Sequence, residues 1–226
     1  KERAGVRGKG VNSLYGKIML ALGFALLWSG CGISTTAYLY PPLDFSVSQS
    51  SITIINNGLN YESSEGVNQT FKGINIYYRI FQDKSNAQGK QNDLLTLKEG
   101  YEGNPDAFMN YAETQGFCYM RKATSSAQPT VIIAANNESQ HTINTTTWEE
   151  EGLDNDSNYI LVRNINRPEN NFLEKNFDAD DQDYTGNDST GGGTFHMVLF
   201  AVSYGEDSIG APVYSDPFIA DSILEF

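Results

Sequence analysis

Short stretches that either alternate apolar and polar residues or are almost continuously apolar recur along the chain, and they predict β-strands. These stretches are residues 45–48, 52–55, 71–81, 131–134, 158–165, 195–204 and 213–220. In the third stretch, the alternation places Ile74, Ile76, Tyr78 and Ile80 on one face of a strand. The segment 195–204 is the most apolar, so we expect it to be a central strand. Pro217 cannot donate to a strand ladder and predicts an edge or a bulge in the last segment.

One segment has the signals of a helix. Asn104 is a good N-cap, Pro105 suits the first helical position, and Gly116 is a typical stop. The polar segments 84–93 and 178–193 predict mobile loops. The predicted fold class is therefore mainly β, a β-sandwich with an insertion at about residues 82–157 that contains a short helix.

The first thirty residues have a different organisation. Residues 1–17 carry a net charge of +4, an apolar run follows at 18–28, and small residues come next. This order is typical of a secretory signal, and eleven apolar residues are too few to span a bilayer core of about 30 Å. The chain begins with Lys1, and a start at Val11 or Leu14 would leave residues 1–10 untranslated.

The end of this segment, Leu27-Trp28-Ser29-Gly30-Cys31, resembles the lipobox of bacterial lipoproteins and is similar to the relaxed lipoboxes of spirochaetes. In that family, cleavage precedes the cysteine, whose sulfur carries diacylglycerol. The resemblance implies a signal peptide at 1–30, lipidation at Cys31, and a lipid-anchored tether at 31–44. The alternative is an ordinary cleaved signal followed by a chance cysteine.

The net charge limits the kinds of partner that the chain after residue 17 can bind. The chain has a net charge of −13, and the residues after 17 hold 10 basic and 27 acidic residues, a net charge of −17. Such acidity argues against a nucleic-acid partner. The two cysteines, Cys31 and Cys118, are too few for a disulfide-dense scaffold, and lipidation of Cys31 would leave Cys118 as a small buried hydrophobe.

Two parts of the chain that begins at Cys31, together covering about half of it, resemble a fibronectin type III or immunoglobulin-like domain. Residues 73–80 are similar to the family strand that begins with glycine and carries Ile-x-Tyr, and residues 198–205 with 214–217 are similar to its last two strands. The resemblance implies an ectodomain at 45–226 with sandwich topology. The core tryptophan of the family's second strand is missing, and Ile54 or Ile55 stands in its place.

Few residues in the sequence suggest a catalytic or metal-binding site. Asp178, Asp180 and Asp183 have the D-x-D spacing that calcium prefers, although a solvated acidic loop has the same composition and no EF-hand loop is completed. His196 lies on a strand, and His141 has no evident partner. The run of glutamates at 149–151 is typical of a solvated face. No nucleophile or metalloprotease motif occurs, so we expect no enzyme.

These features together predict a lipid-anchored envelope protein, exported to the outer membrane, whose ectodomain binds an unknown protein or carbohydrate. The many tyrosines suit such a binding surface and suit strand faces equally well. The alternatives are a periplasm-facing structural or assembly lipoprotein, or a solute-binding or enzymatic one.

Overall fold

Alternating segments at the start of the folded unit and in its middle form an antiparallel sheet. The computed structural model describes residues 38–62, 69–123, 129–132, 140–151, 159–167 and 170–226, all within a unit that spans Ala37–Phe226. The strands of the first sheet are β1 (Asp44–Val47), β2 (Ser51–Ile55), β5 (Arg121–Lys122), β7 (Gln140–Asn144), β8 (Glu149–Glu151) and β9 (Tyr159–Val162). Their order is β1-β2-β7-β8-β9-β5, with antiparallel pairing throughout.

The second sheet is built around two long strands. Its members are β3 (Gln69–Phe81), β4 (Cys118–Tyr119), β6 (Val131–Ile132), β10 (Tyr184–Thr185), β11 (His196–Asp207), β12 (Pro212–Tyr214), β13 (Phe218–Ile219) and β14 (Leu224–Glu225). Strand β11 pairs antiparallel with β3, with Phe200 opposite Tyr77, and also with the last three strands. The predicted central position of the apolar segment 195–204 is thus confirmed. Pro217 lies in the break between β12 and β13.

The two sheets enclose the main core. Ile74, Ile76, Tyr78 and Ile80 of β3 share one cluster, as the alternation predicts. The first sheet contributes Phe45, Ile52, Ile54, Ile143 and Leu161 to that cluster, and the turn between β7 and β8 contributes Trp148. A mainly β fold with antiparallel sheets is therefore confirmed.

Two helices, α2 (Lys84–Gly100) and α3 (Pro105–Thr114), cover the opposite face of the second sheet. A short helix, α1 (Leu59–Glu62), precedes β3. A second apolar cluster joins Tyr77, Phe81, Val198, Phe200 and Val202 of the strands to Ala87, Leu94, Phe108, Met109 and Ala112 of the helices. None of the helices among the described residues is long and apolar enough to cross a bilayer.

The helix prediction is right at one site and wrong at another. Helix α3 begins after Asn104, whose side-chain oxygen accepts a hydrogen bond from the backbone N–H of Ala107 at 3.3 Å. The loop prediction for 84–93 is wrong, because this segment forms the first turns of α2. That helix buries only Ala87 and Leu94, two turns apart, so its apolar stripe is narrower than the spacing rule requires.

The folded unit includes the last residues of the predicted tether. Residues 31–37 and the predicted signal at 1–30 lie outside the described residues. Residues 38–44 belong to the folded unit, since Leu39 is fully buried and bridges to Ser215. The amide of Asn60 clamps Tyr40, accepting from its N–H at 2.7 Å and donating to its carbonyl oxygen at 2.9 Å.

The predicted insertion contributes to both layers. The segment 82–157 supplies α2, α3 and the strands β4 to β8, and β7 lies between β2 and β8 in the first sheet. It therefore completes the sheet that β1 and β2 begin.

Candidate functional site

A wide polar cleft of about 700 Å³ opens where four segments converge. Its walls come from the end of α3, from β4 and β5, from residues 164–167 after β9, and from residues 178–182. The register of two short strands brings these segments together: Tyr119 pairs with Tyr77, and Arg121 pairs with Val162. The chain thus crosses from one sheet to the other at the cleft.

A buried ion-pair network forms the floor. The fully buried Arg163 donates to both oxygens of Asp183, at 3.0 Å from Nε and 2.5 Å from Nη2, and to Asp181 at 2.9 Å. The hydroxyl of Tyr78 donates to Asp183 at 2.6 Å. The Arg163 guanidinium also lies 4.7 Å from the ring centre of Phe177. The cleft therefore rests on a rigid polar base.

The charges of this base are fixed by their surroundings. Burial would raise the pKa of Asp181, but the backbone N–H of Asp178 and the guanidinium groups of Arg163 and Arg167 outweigh it and lower that pKa. Burial, followed by the adjacent Asp183 carboxylate, raises the pKa of Tyr78. The network therefore combines an Asp181 carboxylate that is ionised at pH 7 with a neutral Tyr78 phenol.

The walls, in contrast, carry charges without partners. The half-buried guanidinium of Arg121 makes no hydrogen bond or ion pair with any residue that the structure describes, and its Nε is inaccessible to water. The carboxylates of Glu113 and Asp180 are likewise unpaired within the described ranges. Arg167 differs, because it donates to both oxygens of Asp181 at 2.9 and 3.0 Å. An unpaired guanidinium in a cleft is positioned to hold an acidic or carbonyl group of a ligand.

Cys118 also lines the cleft but is suited to packing. It is a free, buried cysteine, as expected from its sequence context. Burial, reinforced by Asp183, raises the pKa of its thiol to about 12. The sulfur is therefore a neutral thiol at pH 7 and a poor nucleophile.

The remaining candidates lie elsewhere. Nδ1 of the buried His141 is 3.1 Å from the carboxylate of Glu150, so that histidine has a partner that the sequence did not reveal. Glu150 is itself buried, so the interpretation of 149–151 as a solvated face is wrong for its middle residue. His196 lies 3.8 Å from Glu225 on the strand predicted for it.

The acidic segment 178–193 divides into two environments. Asp178 and Asp180 are exposed, whereas Asp183 is fully buried with both oxygens bound to Arg163. No group of three or more His, Cys, Asp or Glu side chains among the described residues is arranged to hold a metal ion. Calcium at Asp178, Asp180 and Asp183 stays a prediction.

The residues that distinguish the cleft were not found from the sequence. Arg121, Arg163 and Glu113 belong to no motif, and Arg163 lies 20 residues from the carboxylate that it binds. The one available signal was an arginine within an apolar strand, at 159–163. Comparison of the chain with protein-family models, with curated proteins and with solved structures finds no match.

Proposed function

We propose that this chain is a lipid-anchored cell-envelope protein whose sandwich binds another macromolecule through the cleft. The anchor is the thioether-linked diacylglycerol and acyl chains on Cys31, and two or more chains give stable membrane attachment. The folded unit begins at Ala37, close behind the anchor. We propose the outer membrane as the membrane that carries this anchor.

The unpaired Arg121 is the observation that carries the binding role. Removing a guanidinium from water without a partner is unfavourable, so a site that keeps it open gains free energy when a ligand supplies the acceptor. Glu113 and Asp180 offer acceptors on the same cleft, and Asn164 and Gln182 offer amides. A protein segment or a carbohydrate that bears a carboxylate and several donors matches this set.

Non-catalytic binding is favoured over an enzymatic role by the state of the cleft. The one thiol on its walls is held protonated, and no histidine is among the described residues that line it. The two histidines described above are each placed beside a glutamate in other parts of the fold.

We further propose that the sandwich is immunoglobulin-like. Strands β1, β2 and β7 stand in the order of strands A, B and E of such domains, and β3, β11 and β12 stand in the order of C, F and G. This order supports the resemblance seen in residues 73–80 and 198–205. Two features depart from it: β8 follows β7 in the chain although strand D precedes E, and helices cover the outer face of the second sheet.

Phase partition and protease shaving test the anchor. Wild-type protein should enter the detergent phase of a Triton X-114 extract, and Cys31→Ala should remain in the aqueous phase. Shaving of intact cells should remove a surface-exposed ectodomain, whereas resistance would favour the periplasm-facing assembly role. Equal partition of the two proteins would refute lipidation at Cys31.

Protein and glycan arrays test the cleft. Ligands bound by wild type should lose at least about tenfold in affinity on Arg121→Gln, because a charge-assisted pair contributes about 1.5–3 kcal/mol. Lys72→Gln is the matched control, since it removes a positive charge from a half-exposed surface pair with Glu206. Binding that is equal in wild type and Arg121→Gln would contradict the assignment.

A solute-binding lipoprotein is the second candidate, because the cleft volume lies within the range of about 300–1,000 Å³ that is usual for small-ligand sites. A competition experiment distinguishes solute binding from macromolecule binding. If a small uronic acid binds as tightly as any polymer that contains it, the solute role is favoured.

A further inference from the structure

Exposed apolar side chains collect around the point where the described chain begins. Eight large apolar residues are exposed among those that the structure describes, and five of them lie on or beside this point: Tyr38, Tyr40, Leu43, Leu59 and Leu95. We name these five residues the collar. Leu59 is the first residue of α1, and the side chains of Asn57, just before this helix, and Asn60, within it, bind the backbone of Pro41 and Tyr40.

A groove of about 570 Å³ continues the collar. Its apolar walls are Pro41, Pro42, Leu95, Pro217 and Phe218, and Lys98, Glu99, Glu102 and Asp216 complete its lining. Leu95 belongs to both the collar and the groove, and Pro41 directly follows Tyr40. Burial and then the charge of Asp216 raise the pKa of Tyr38. Three carboxylates and one lysine give the groove a net negative charge.

The collar is held rigidly. Leu39 is fully buried between its exposed neighbours, and Ser203 Oγ donates to the carbonyl oxygen of Tyr40 at 2.7 Å. Asn60 binds both the N–H and the carbonyl oxygen of Tyr40. The side chains of Tyr38 and Tyr40 thus project from a fixed backbone.

The length of chain before the collar limits what can cover it. Tyr38 is the seventh residue after Cys31, and a fully extended chain of that length spans about 25 Å at most. A folded unit of 190 residues has a radius of gyration of about 16 Å. An anchor at Cys31 therefore holds the collar side of the unit within reach of the bilayer.

We infer that the collar and its groove dock onto the zwitterionic lipid surface of the membrane that carries the anchor. This inference rests on the proposed lipidation of Cys31. Tyrosine rings suit the bilayer interface because one end is apolar and the other can bind water and headgroups. The carboxylates of the groove match the ammonium groups of phosphatidylethanolamine or phosphatidylcholine and disfavour anionic headgroups.

Fluorescent labels at two matched positions test the docking. Leu43 in the collar and Leu173 outside it are both 52% exposed, so Leu43→Cys and Leu173→Cys are equivalent sites for a maleimide-linked NBD dye. Cys118 is buried and Cys31 would be blocked by its thioether, so the new cysteine takes the label. The lipidated full chain is reconstituted into phosphatidylcholine vesicles, and the quenching of NBD fluorescence by added iodide is measured.

The expected result is a blue-shifted emission at Leu43 and iodide quenching at least about threefold weaker than at Leu173, because the bilayer interior excludes the ion. Adding phosphatidylglycerol should reduce this protection. Equal quenching of both labels on a chain that is lipidated by mass spectrometry would overturn the docking and leave the anchor intact. An unlipidated wild-type chain would instead refute the proposed function.

A second copy of the chain is the competing occupant of the collar. The Leu43 label on a Cys31→Ser chain without vesicles distinguishes it. Iodide should reach that label as freely as it reaches Leu173. Protection in the absence of lipid would mean that copies of the chain cover the collar, and would overturn the lipid assignment.

Discussion

Replacing Arg163 by methionine is expected to destabilise the fold by about 3–5 kcal/mol, because it leaves buried carboxylates without their counter-charge. The geometry sets this magnitude. Arg163 is fully buried and donates to Asp183, to Asp181 and to the carbonyl oxygen of Asn176. Methionine fills similar volume, so the loss measures the uncompensated charge and not a cavity.

Thermal and urea unfolding of the purified chain measure the effect. For a unit of this size, 1 kcal/mol corresponds to about 2–4 °C, so the melting temperature should fall by about 6–20 °C. The matched control is Arg167→Met, whose side chain is 29% exposed and also binds Asp181. It should cost less than Arg163→Met, because Asp181 keeps its hydrogen bond to Arg163.

The pH dependence separates the network from ordinary packing. Asp181 has a lowered pKa in the fold, so its contribution is present above the unfolded value of about 3.9 and is lost as pH falls through the folded pKa. Arg163→Met removes one of the groups that lower the pKa of Asp181, so its deficit should shrink as pH falls below about 3.9. A deficit below about 1 kcal/mol at pH 7, or one that is the same at pH 7 and pH 2, would refute the reasoning.

Three further substitutions or reactions have distinct expected outcomes. Gly116→Ala should lower the free energy of unfolding by about 2 kcal/mol or more, because its φ is +77° and a Cβ would lie 2.5 Å from the carbonyl oxygen of Gln182. Gly103→Ala is the control, since its φ is +73° but a Cβ there would meet no neighbouring atom. It should cost about 1 kcal/mol in the same urea titration. Lys122→Met should cost no more than about 2 kcal/mol at pH 7, because the buried ammonium makes no hydrogen bond and loses only its contact with the ring of Tyr159, whose centre lies 4.0 Å from Nζ. Burial lowers the pKa of Lys122, so wild-type stability should rise with pH toward 10.5 and the variant should lack this rise. A loss of more than about 4 kcal/mol on substitution would contradict this view. The thiol of Cys118, with a pKa of about 12, should react with Ellman's reagent at pH 8 about a thousandfold more slowly in native than in unfolded protein, and comparable rates would show an ionised thiol.

The strands that alternate were predictable because a period of two is a local property. The segments 45–48, 52–55, 71–81 and 195–204 all contain strands, and the cap at Asn104 defined α3. These signals need only neighbouring residues, which is why they can be read before the fold is known.

The features that could not be predicted all depend on contacts between residues that are distant in sequence. Helix α2 gains its stability from the sheet beneath Ala87 and Leu94, and its polar composition gives no local sign of that contact. The partners of Arg163 and His141 come from other segments through strand pairing. The unpaired state of Arg121, on which the candidate site depends, is a property of the assembled cleft.

The pairing of β3 with β11 also determines when the protein can fold. His196 and Phe81 are opposite each other but 115 residues apart in sequence, so the central pair closes a long loop before it gains its ladder. Both faces of that pair are buried, one by the first sheet and one by the helices, so neither layer can be completed earlier. A chain emerging from synthesis or from an export channel therefore remains without its core until almost the last strand is free. Under the export proposed above, this late closure would keep the chain unfolded during translocation and would delay folding until the chain has crossed the membrane.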